Sequence, residues 1–235
     1  MRKTLSMLVA IVVAFSVQAQ DIFNHLGAGI TAGTNGIGVN VATPLTKWVT
    51  VRAGVDIMPS FKGGYDINVN VPTESSYYAS KVNVDLSLSR IQGSLIFNIN
   101  PFPSCGFFVA AGAYFGGNKV VKVKGHSDEL AQYGQAASVQ ISDYEIPFDK
   151  NGDVSGGISV KNFRPYIGLG WGRAIPKKLI AFNFEIGAQI HGTPKVYTDF
   201  GEVRQYGYAD DDLSKVLNNL TVYPVISFRL SGKIF

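Results

Sequence analysis

The chain of 235 residues has little cysteine, little net charge and few long apolar runs. Its one cysteine, Cys105, excludes an internal disulfide framework, and we expect it to be an inert packed thiol. The formal net charge is +4, or +2 once Arg2 and Lys3 are removed, and this excess is too small to argue for nucleic-acid binding. No basic patch is interleaved with aromatic residues. After residue 19 no apolar stretch reaches the ~20 residues that a membrane-spanning helix needs. Disulfide-rich, nucleic-acid-binding and helical membrane proteins are therefore disfavoured.

The start of the chain has the pattern of a secretory signal. Arg2 and Lys3 precede a largely apolar stretch at 5–17, which ends at residues that a signal peptidase accepts. This stretch is shorter than a spanning helix, so we expect it to be removed rather than kept as an anchor. The prediction is a cleaved signal peptide at 1–19 and one exported domain at 20–235.

Glycine and aromatic residues are abundant, with 26 Gly, 15 Phe and 11 Tyr. Apolar residues alternate with small or polar ones in eight segments, which is the period of a strand with one apolar face. In the fourth segment the apolar phase reverses, and this predicts a bulge near Ser89-Arg90. The eight predicted strands cover residues 27–33, 37–42, 48–58, 82–99, 107–116, 166–172, 180–190 and 226–234.

The connections between these strands alternate in length. Short breaks containing Pro44, Pro101 and Pro176 follow the second, fourth and sixth strands. Long polar segments, at roughly 60–80, 117–158 and 192–219, follow the third, fifth and seventh. Outer-membrane barrels have an even number of strands, short periplasmic turns and longer external loops. The sequence therefore predicts an all-β protein, an eight-stranded antiparallel up-and-down transmembrane β-barrel with this arrangement of turns and loops.

Five charged residues fall on the face that we assign to the lumen: Arg52, Asp56, Arg90, Glu185 and Arg229. Buried ions need partners. We expect Glu185 to pair with Arg229 on the adjacent strand, with Arg52 able to approach across the lumen. This lumen charge network would form a closed plug that fixes the register of the strands. A gated ion or proton path is the functional alternative for the same residues.

The run GIGVNVATPLTKWVTVRAG, from Gly36 to Gly54, resembles the early hairpin of small outer-membrane barrel proteins, which are similar to the OmpA/OmpX-type transmembrane barrels. The resemblance covers most of the mature chain in layout, but only this hairpin and the last strand in residues. Phe235 resembles the terminal aromatic residue that the outer-membrane assembly machinery reads, although the apolar residues of the last strand are one position out of phase with it. The resemblance implies placement in the outer membrane, contact with its lipid and lipopolysaccharide, and no catalytic residues.

The sequence offers no catalytic, cofactor or metal site. The segment 149–153 is similar to a calcium loop but lacks the Gly and Glu expected at the sixth and twelfth positions, so a surface turn is expected. His25, His126 and His191 do not have the spacing of metal ligands.

The leading interpretation is a monomeric, non-enzymatic integral outer-membrane protein with a structural role or a surface-interaction role through its external loops. A narrow pore is the first alternative. A lipid-modifying enzyme is the second, with His191 near the external rim as its one candidate residue. A soluble periplasmic, lipocalin-like ligand binder, with its apolar faces turned inward, is the third.

Overall fold

The computed structural model describes residues 25–72, 77–102, 104–131, 138–141, 144–200, 203–205 and 218–234. The predicted signal peptide and Phe235 lie outside these ranges. No helix among the described residues is long and apolar enough to cross a membrane. The elements are β1 (Gly27–Gly33), β2 (Gly36–Pro44), β3 (Val49–Pro72), β4 (Tyr77–Ile99), β5 (Phe107–Phe115), β6 (Lys119–His126), α1 (Asp128–Ala131), β7 (Ser138–Ile141), β8 (Tyr144–Pro147), β9 (Asp153–Ser159), β10 (Phe163–Trp171), β11 (Ile180–Ile190), β12 (Lys195–Thr198), β13 (Arg204–Gln205) and β14 (Val222–Lys233).

Eight of these strands form a closed antiparallel barrel in the order β1, β2, β3, β4, β5, β10, β11, β14. Pairing of β1 with β14 joins the two ends of the chain, with Gly27 opposite Lys233. Pairing of β4 with β5, with Ile99 opposite Val109, completes the ring. The predicted eight-stranded, all-β, up-and-down barrel is confirmed.

Side chains alternate between the outside and the lumen along each barrel strand. In β10 every second residue from Phe163 to Trp171 is exposed, and the residues between them, such as Arg164 and Tyr166, are buried. Strand β11 shows the same arrangement, with Phe182 62% exposed and Asn183 2% exposed. Apolar side chains therefore cover the outside and polar side chains fill the lumen, as in a transmembrane barrel. A soluble ligand-binding barrel has the opposite arrangement.

The two ends of the barrel differ. At one end, the turn end, short connections at 45–48, 100–106 and 172–179 join neighbouring strands. At the other end, β3 and β4 continue past the barrel as a long hairpin. Strand β6 pairs with β4, β9 pairs with β6, and β12 pairs with β9. We call this continuation of the barrel sheet, formed by residues 60–72 and 77–90 of the hairpin together with β6, β9 and β12, the extension.

The prediction that 60–80 forms an external loop is wrong, because Pro59 does not end β3. The ladder shifts register between Met58 and Phe61, where Pro59 and Ser60 oppose Ser89 alone. A bulge leaves one residue without a ladder partner, and it is one of the few places where a strand accepts proline. The predicted irregularity near Ser89-Arg90 thus exists in the ladder, but its extra residue belongs to β3.

The two other segments predicted as long loops also contain strands. Residues 117–158 include β6, β7, β8 and most of β9, and residues 192–219 include β12 and β13. Within the described residues, β7, β8 and β13 form a separate small sheet. The connections are therefore long, as predicted, but much of their length is paired backbone.

Candidate functional site

The middle of the lumen is organised around Glu185. Arg52 Nη2 donates to its Oε2 at 2.7 Å, and the hydroxyl of Tyr166 donates to its Oε1 at 2.7 Å. All three side chains are buried. The ring of Tyr114 meets the ring of Tyr166 edge-on, with 5.2 Å between centroids. One carboxylate therefore ties together β3, β10 and β11, which lie at different positions around the barrel.

The predicted pair between Glu185 and Arg229 is wrong. The register sets Glu185 opposite Ser227 and Arg229 opposite Asn183. Arg229 Nη2 accordingly donates to Asn183 Oδ1 at 3.1 Å. Glu185 instead pairs with Arg52 across the lumen. The sequence predicted Arg52 only as an additional residue able to approach this site. Nε and Nη1 of the buried Arg229 have no hydrogen-bond partner among the described residues.

The remaining two residues of the predicted network have neutral partners. Asp56 accepts a hydrogen bond from the hydroxyl of Thr31 at 3.3 Å. Arg90 Nη2 donates to Asn35 Oδ1 at 3.2 Å, and its guanidinium carbon lies 5.1 Å from the ring centroid of Tyr223. The structure thus places all five predicted residues on the lumen side of the barrel, but it joins only Arg52 and Glu185 in an ion pair.

Arg164, which the sequence interpretation missed, fills the lumen at the end next to the extension. Its Nε donates to Gln189 Oε1 at 3.2 Å and its Nη2 to Gln92 Oε1 at 3.0 Å. The same guanidinium donates to the main-chain oxygens of Gly116 and Lys161, at 2.6 Å and 3.0 Å. The predicted strand began at residue 166, and the same alternation continued two residues back would have included Arg164.

A small cavity lies among these groups. Its volume is about 30 Å³, enough for one or two water molecules, and its lining includes Arg52, Asp56, Tyr114 and Glu185. The five predicted residues together with Arg164 give the lumen four guanidinium groups and two carboxylates. The lumen is therefore packed and carries an excess of positive charge.

In the extension, two contacts between charged groups link residues that are distant in sequence. Lys119 Nζ lies 2.8 Å from Asp199 Oδ1, and this ion pair holds the pKa of the Asp199 carboxyl below its ordinary value. The ring of His126 contacts Asp153 at 2.7 Å and Asp128 at 3.2 Å. Hydrogen bonding to these carboxylates, Asp153 first, raises the pKa of His126 above its ordinary value. Both contacts are open to solvent.

The motifs set aside on sequence grounds form local structure. His191 Nδ1 contacts the main-chain oxygen of Gly192 at 2.8 Å, and no serine or carboxylate contacts this ring among the described residues. Asp149 accepts hydrogen bonds from the main-chain N–H groups of Asn151 and Asp153, which is the geometry of a surface turn. Within the described ranges, no group of three or more His, Cys, Asp or Glu residues is placed to hold a metal ion.

The fold and the polar lumen together define the class of a small transmembrane β-barrel. No known family model and no curated protein matches the sequence. Solved structures that are similar to it include two from Acinetobacter baumannii. CarO2 has a TM-score of 0.49 and 18% identity, over 89% of this chain and 98% of that one. CarO has a TM-score of 0.47 and 18% identity, over 88% and 96%. The specific relation to OmpA/OmpX-type barrels stays a prediction.

Proposed function

We propose that this protein is a monomeric, non-enzymatic integral protein of a bacterial outer membrane that acts at the cell surface through its extension. The observation that carries this proposal is the continuation of the barrel sheet beyond β4. Six residue pairs, from Asn83–His126 to Leu88–Val121, join β4 to β6. A binding surface held by a rigid scaffold is a common basis of recognition.

The distribution of side chains supports the membrane part of the proposal. Large apolar residues such as Ile37, Ile167 and Phe182 are each more than half exposed on the outside of the barrel. Exposing so much apolar surface to water is unfavourable, whereas lipid tails cover it without cost. At the turn end, the exposed Trp48 and Trp171 are suited to the interface between lipid and water. The barrel would then span the membrane with its turn end facing the periplasm and its extension facing the outside of the cell.

The same orientation defines the expected partners. The apolar band would contact outer-membrane lipid, and the base of the extension would lie beside the head groups of lipopolysaccharide. Insertion would depend on the outer-membrane assembly machinery, which reads the end of the chain.

The side chains that fill the lumen favour a surface-interaction role over a narrow pore. Arg164, with donors directed at Gln92 and Gln189, fills one end, and the Arg52–Glu185 pair crosses the middle. Planar-bilayer recordings separate the two functions, because a plugged barrel gives no steady conductance. A reproducible open channel in folded wild-type protein would favour the pore.

The direct test is labelling of single cysteines in intact cells. In a Cys105→Ser background, Lys124→Cys places a thiol on the extension and Lys178→Cys places one at the turn end, and both lysines are exposed. We expect a membrane-impermeant maleimide to label the first variant in intact cells and the second only after lysis. Equal labelling of both in intact cells, or recovery of the protein in the soluble periplasmic fraction, would reject the proposal.

A further inference from the structure

A second and larger cavity occupies the mouth of the lumen at the turn end. Its volume is about 510 Å³, within the range of roughly 300–1,000 Å³ that is usual for small-molecule sites. It is surrounded by the ends of β2, β3 and β14 and by the connections that follow β2, β4 and β10. The lining consists of His25, Pro44, Thr46, Lys47, Thr50, Asn100, Arg173, Ala174, Ile175, Pro176, Lys177 and Lys233.

The charged side chains of this lining are all basic. Lys47, Arg173, Lys177 and Lys233 contribute to it, and no Asp or Glu among the described residues does. Lys47, Lys177 and Lys233 form no ion pair with any carboxylate among the described residues. A cleft lined by charges of one sign concentrates ions of the opposite sign. The mouth is therefore built to attract anions.

The cavity belongs to the lumen rather than to the outer surface of the barrel. Thr50 lies two residues from the buried Arg52 on β3, and Lys233 lies two residues from the buried Ser231 on β14. Residues two apart on a strand point to the same side. Thr50 and Lys233 consequently occupy inward-facing positions, where a ligand that enters the mouth would be held between opposite walls.

A buried amide lies next to this cavity without a partner. Asn98 is 1% exposed, and neither Oδ1 nor Nδ2 of its side chain has a hydrogen-bond partner among the described residues. It pairs across the ladder with Thr50 and lies two residues from Asn100, and both of these residues line the cavity. Buried polar groups nearly always have partners, so we expect water or a bound molecule to complete the hydrogen bonding of this amide.

We propose that the turn-end mouth binds a phosphate-bearing anion. Lys47, Arg173, Lys177 and Lys233 supply the positive charge that phosphate oxygens require. The hydroxyl of Thr50 supplies a neutral hydrogen-bond donor at the inner wall, where Asn100 Nδ2 already donates to the main-chain oxygen of Phe107 at 3.2 Å. In the orientation proposed above, the phosphate comes either from a soluble compound of the periplasm or from the head group of an anionic phospholipid in the inner leaflet.

Calorimetric titration of the folded protein with pyrophosphate tests the site. The protein is held in phosphatidylcholine nanodiscs, so that no anionic lipid competes. We expect saturable binding by the wild type and a loss of affinity of about tenfold or more in Lys47→Gln/Lys233→Gln, since two charged donors to the phosphate oxygens are removed. The matched control Lys62→Gln/Lys124→Gln removes the same charge from the extension and should bind like the wild type.

A second arm identifies the source of the phosphate. The unfolding midpoint is measured in nanodiscs with and without phosphatidylglycerol. A rise that Lys47→Gln/Lys233→Gln abolishes and Lys62→Gln/Lys124→Gln retains assigns the site to a lipid head group. A response to pyrophosphate without this rise assigns it to a soluble compound. Absence of both responses, or equal responses in the two double variants, overturns the proposal. Unboiled gel mobility verifies that each variant is folded.

Discussion

The carboxylate of Glu185 and the guanidinium of Arg52 meet across the lumen at 2.7 Å, although they come from strands that are not neighbours in the barrel. Neighbouring barrel strands are held by ladder hydrogen bonds, whereas this pair links β3 to β11 through the interior. The hydroxyl of Tyr166 also donates a hydrogen bond to the carboxylate of Glu185. This ion pair therefore connects two non-adjacent strands through the interior, and its removal should lower the stability of the whole barrel.

Glu185→Gln should destabilise the barrel by about 3–5 kcal/mol, because it leaves the buried Arg52 without its counter-charge. Urea unfolding of the refolded protein in lipid measures the loss. The double variant Arg52→Met/Glu185→Leu removes both charges and should lose less stability than Glu185→Gln. The solvent-exposed ion pair between Lys119 and Asp199 provides the comparison. Asp199→Asn removes this pair and should lower the free energy of unfolding by about 1 kcal/mol or less. If Glu185→Gln is as stable as the wild type, the ion pair does not stabilise the barrel.

Arg164→Ala should destabilise the end of the barrel next to the extension. It removes a guanidinium with side-chain acceptors on Gln92 and Gln189 and main-chain acceptors on Gly116 and Lys161. With about 1.5–3 kcal/mol for each hydrogen bond to a charged group, we expect a loss of at least about 3 kcal/mol.

Arg164→Lys tests whether the shape of the guanidinium matters in addition to its charge. An ammonium group cannot reproduce the planar set of donors, so we expect it to recover less than half of the stability lost in Arg164→Ala. The same urea unfolding series gives the answer. Full recovery by lysine would show that positive charge alone is needed at this position.

His126 should make the extension more stable at about pH 6, where its carboxylate partners are still ionised, than above its raised folded pKa. The pKa of His126 in the folded chain lies above its ordinary value, through its contacts with Asp153 and Asp128. Its contribution is therefore complete below the pKa of the unfolded chain and is lost as the pH rises through the folded pKa. Hydrogen exchange of β6 and β9, corrected for intrinsic rates, should show stronger protection on the acidic side. His126→Gln should remove this dependence, and an unchanged profile would contradict the assignment.

Gly170→Ala should cost about 1–3 kcal/mol by overpacking the lumen. A methyl group at this position would collide with the ring of Phe108, which is fully buried. Shortening the neighbour in Gly170→Ala/Phe108→Leu should restore part of the loss. Gly232→Ala is the matched control, because its added carbon would meet Leu179 O at an ordinary 3.9 Å. Equal unfolding midpoints for Gly170→Ala and Gly232→Ala would contradict the packing argument.

The barrel strands could be predicted from the sequence because a period of two assigns each residue to the lipid face or to the lumen. Strand β11 shows this most clearly, since its observed bounds, Ile180–Ile190, match those predicted. Arg52 and Glu185 were assigned to the lumen by the same rule. A pattern along single strands does not fix distances across a lumen, which explains why Glu185 was assigned to Arg229 rather than to Arg52.

Apart from residues 82–88 of β4, the extension could not be predicted, because its other strands lack the regular apolar alternation of a lipid-facing strand. Strand β6 carries three lysines, at 119, 122 and 124, and β9 is short and rich in glycine and serine. Pairing stabilises such segments through backbone hydrogen bonds and contacts between distant residues, as between Lys119 and Asp199. The continuation of β3 beyond residue 58 was missed because of Pro59, since a proline usually indicates the end of a strand and only sometimes a bulge.

The seam between β1 and β14 has a consequence for the order of folding. Gly27 and Lys233 pair near opposite ends of the described chain, whereas β3 and β4 adjoin in sequence and pair over most of their length. Contacts between residues distant in sequence form late, because ordering the intervening chain costs entropy before the contact offsets it. The hairpin of β3 and β4 can therefore form early and present its edges to the strands that follow. By the same argument β1 and β14 are expected to pair last, and until they pair the sheet has two unpaired edges.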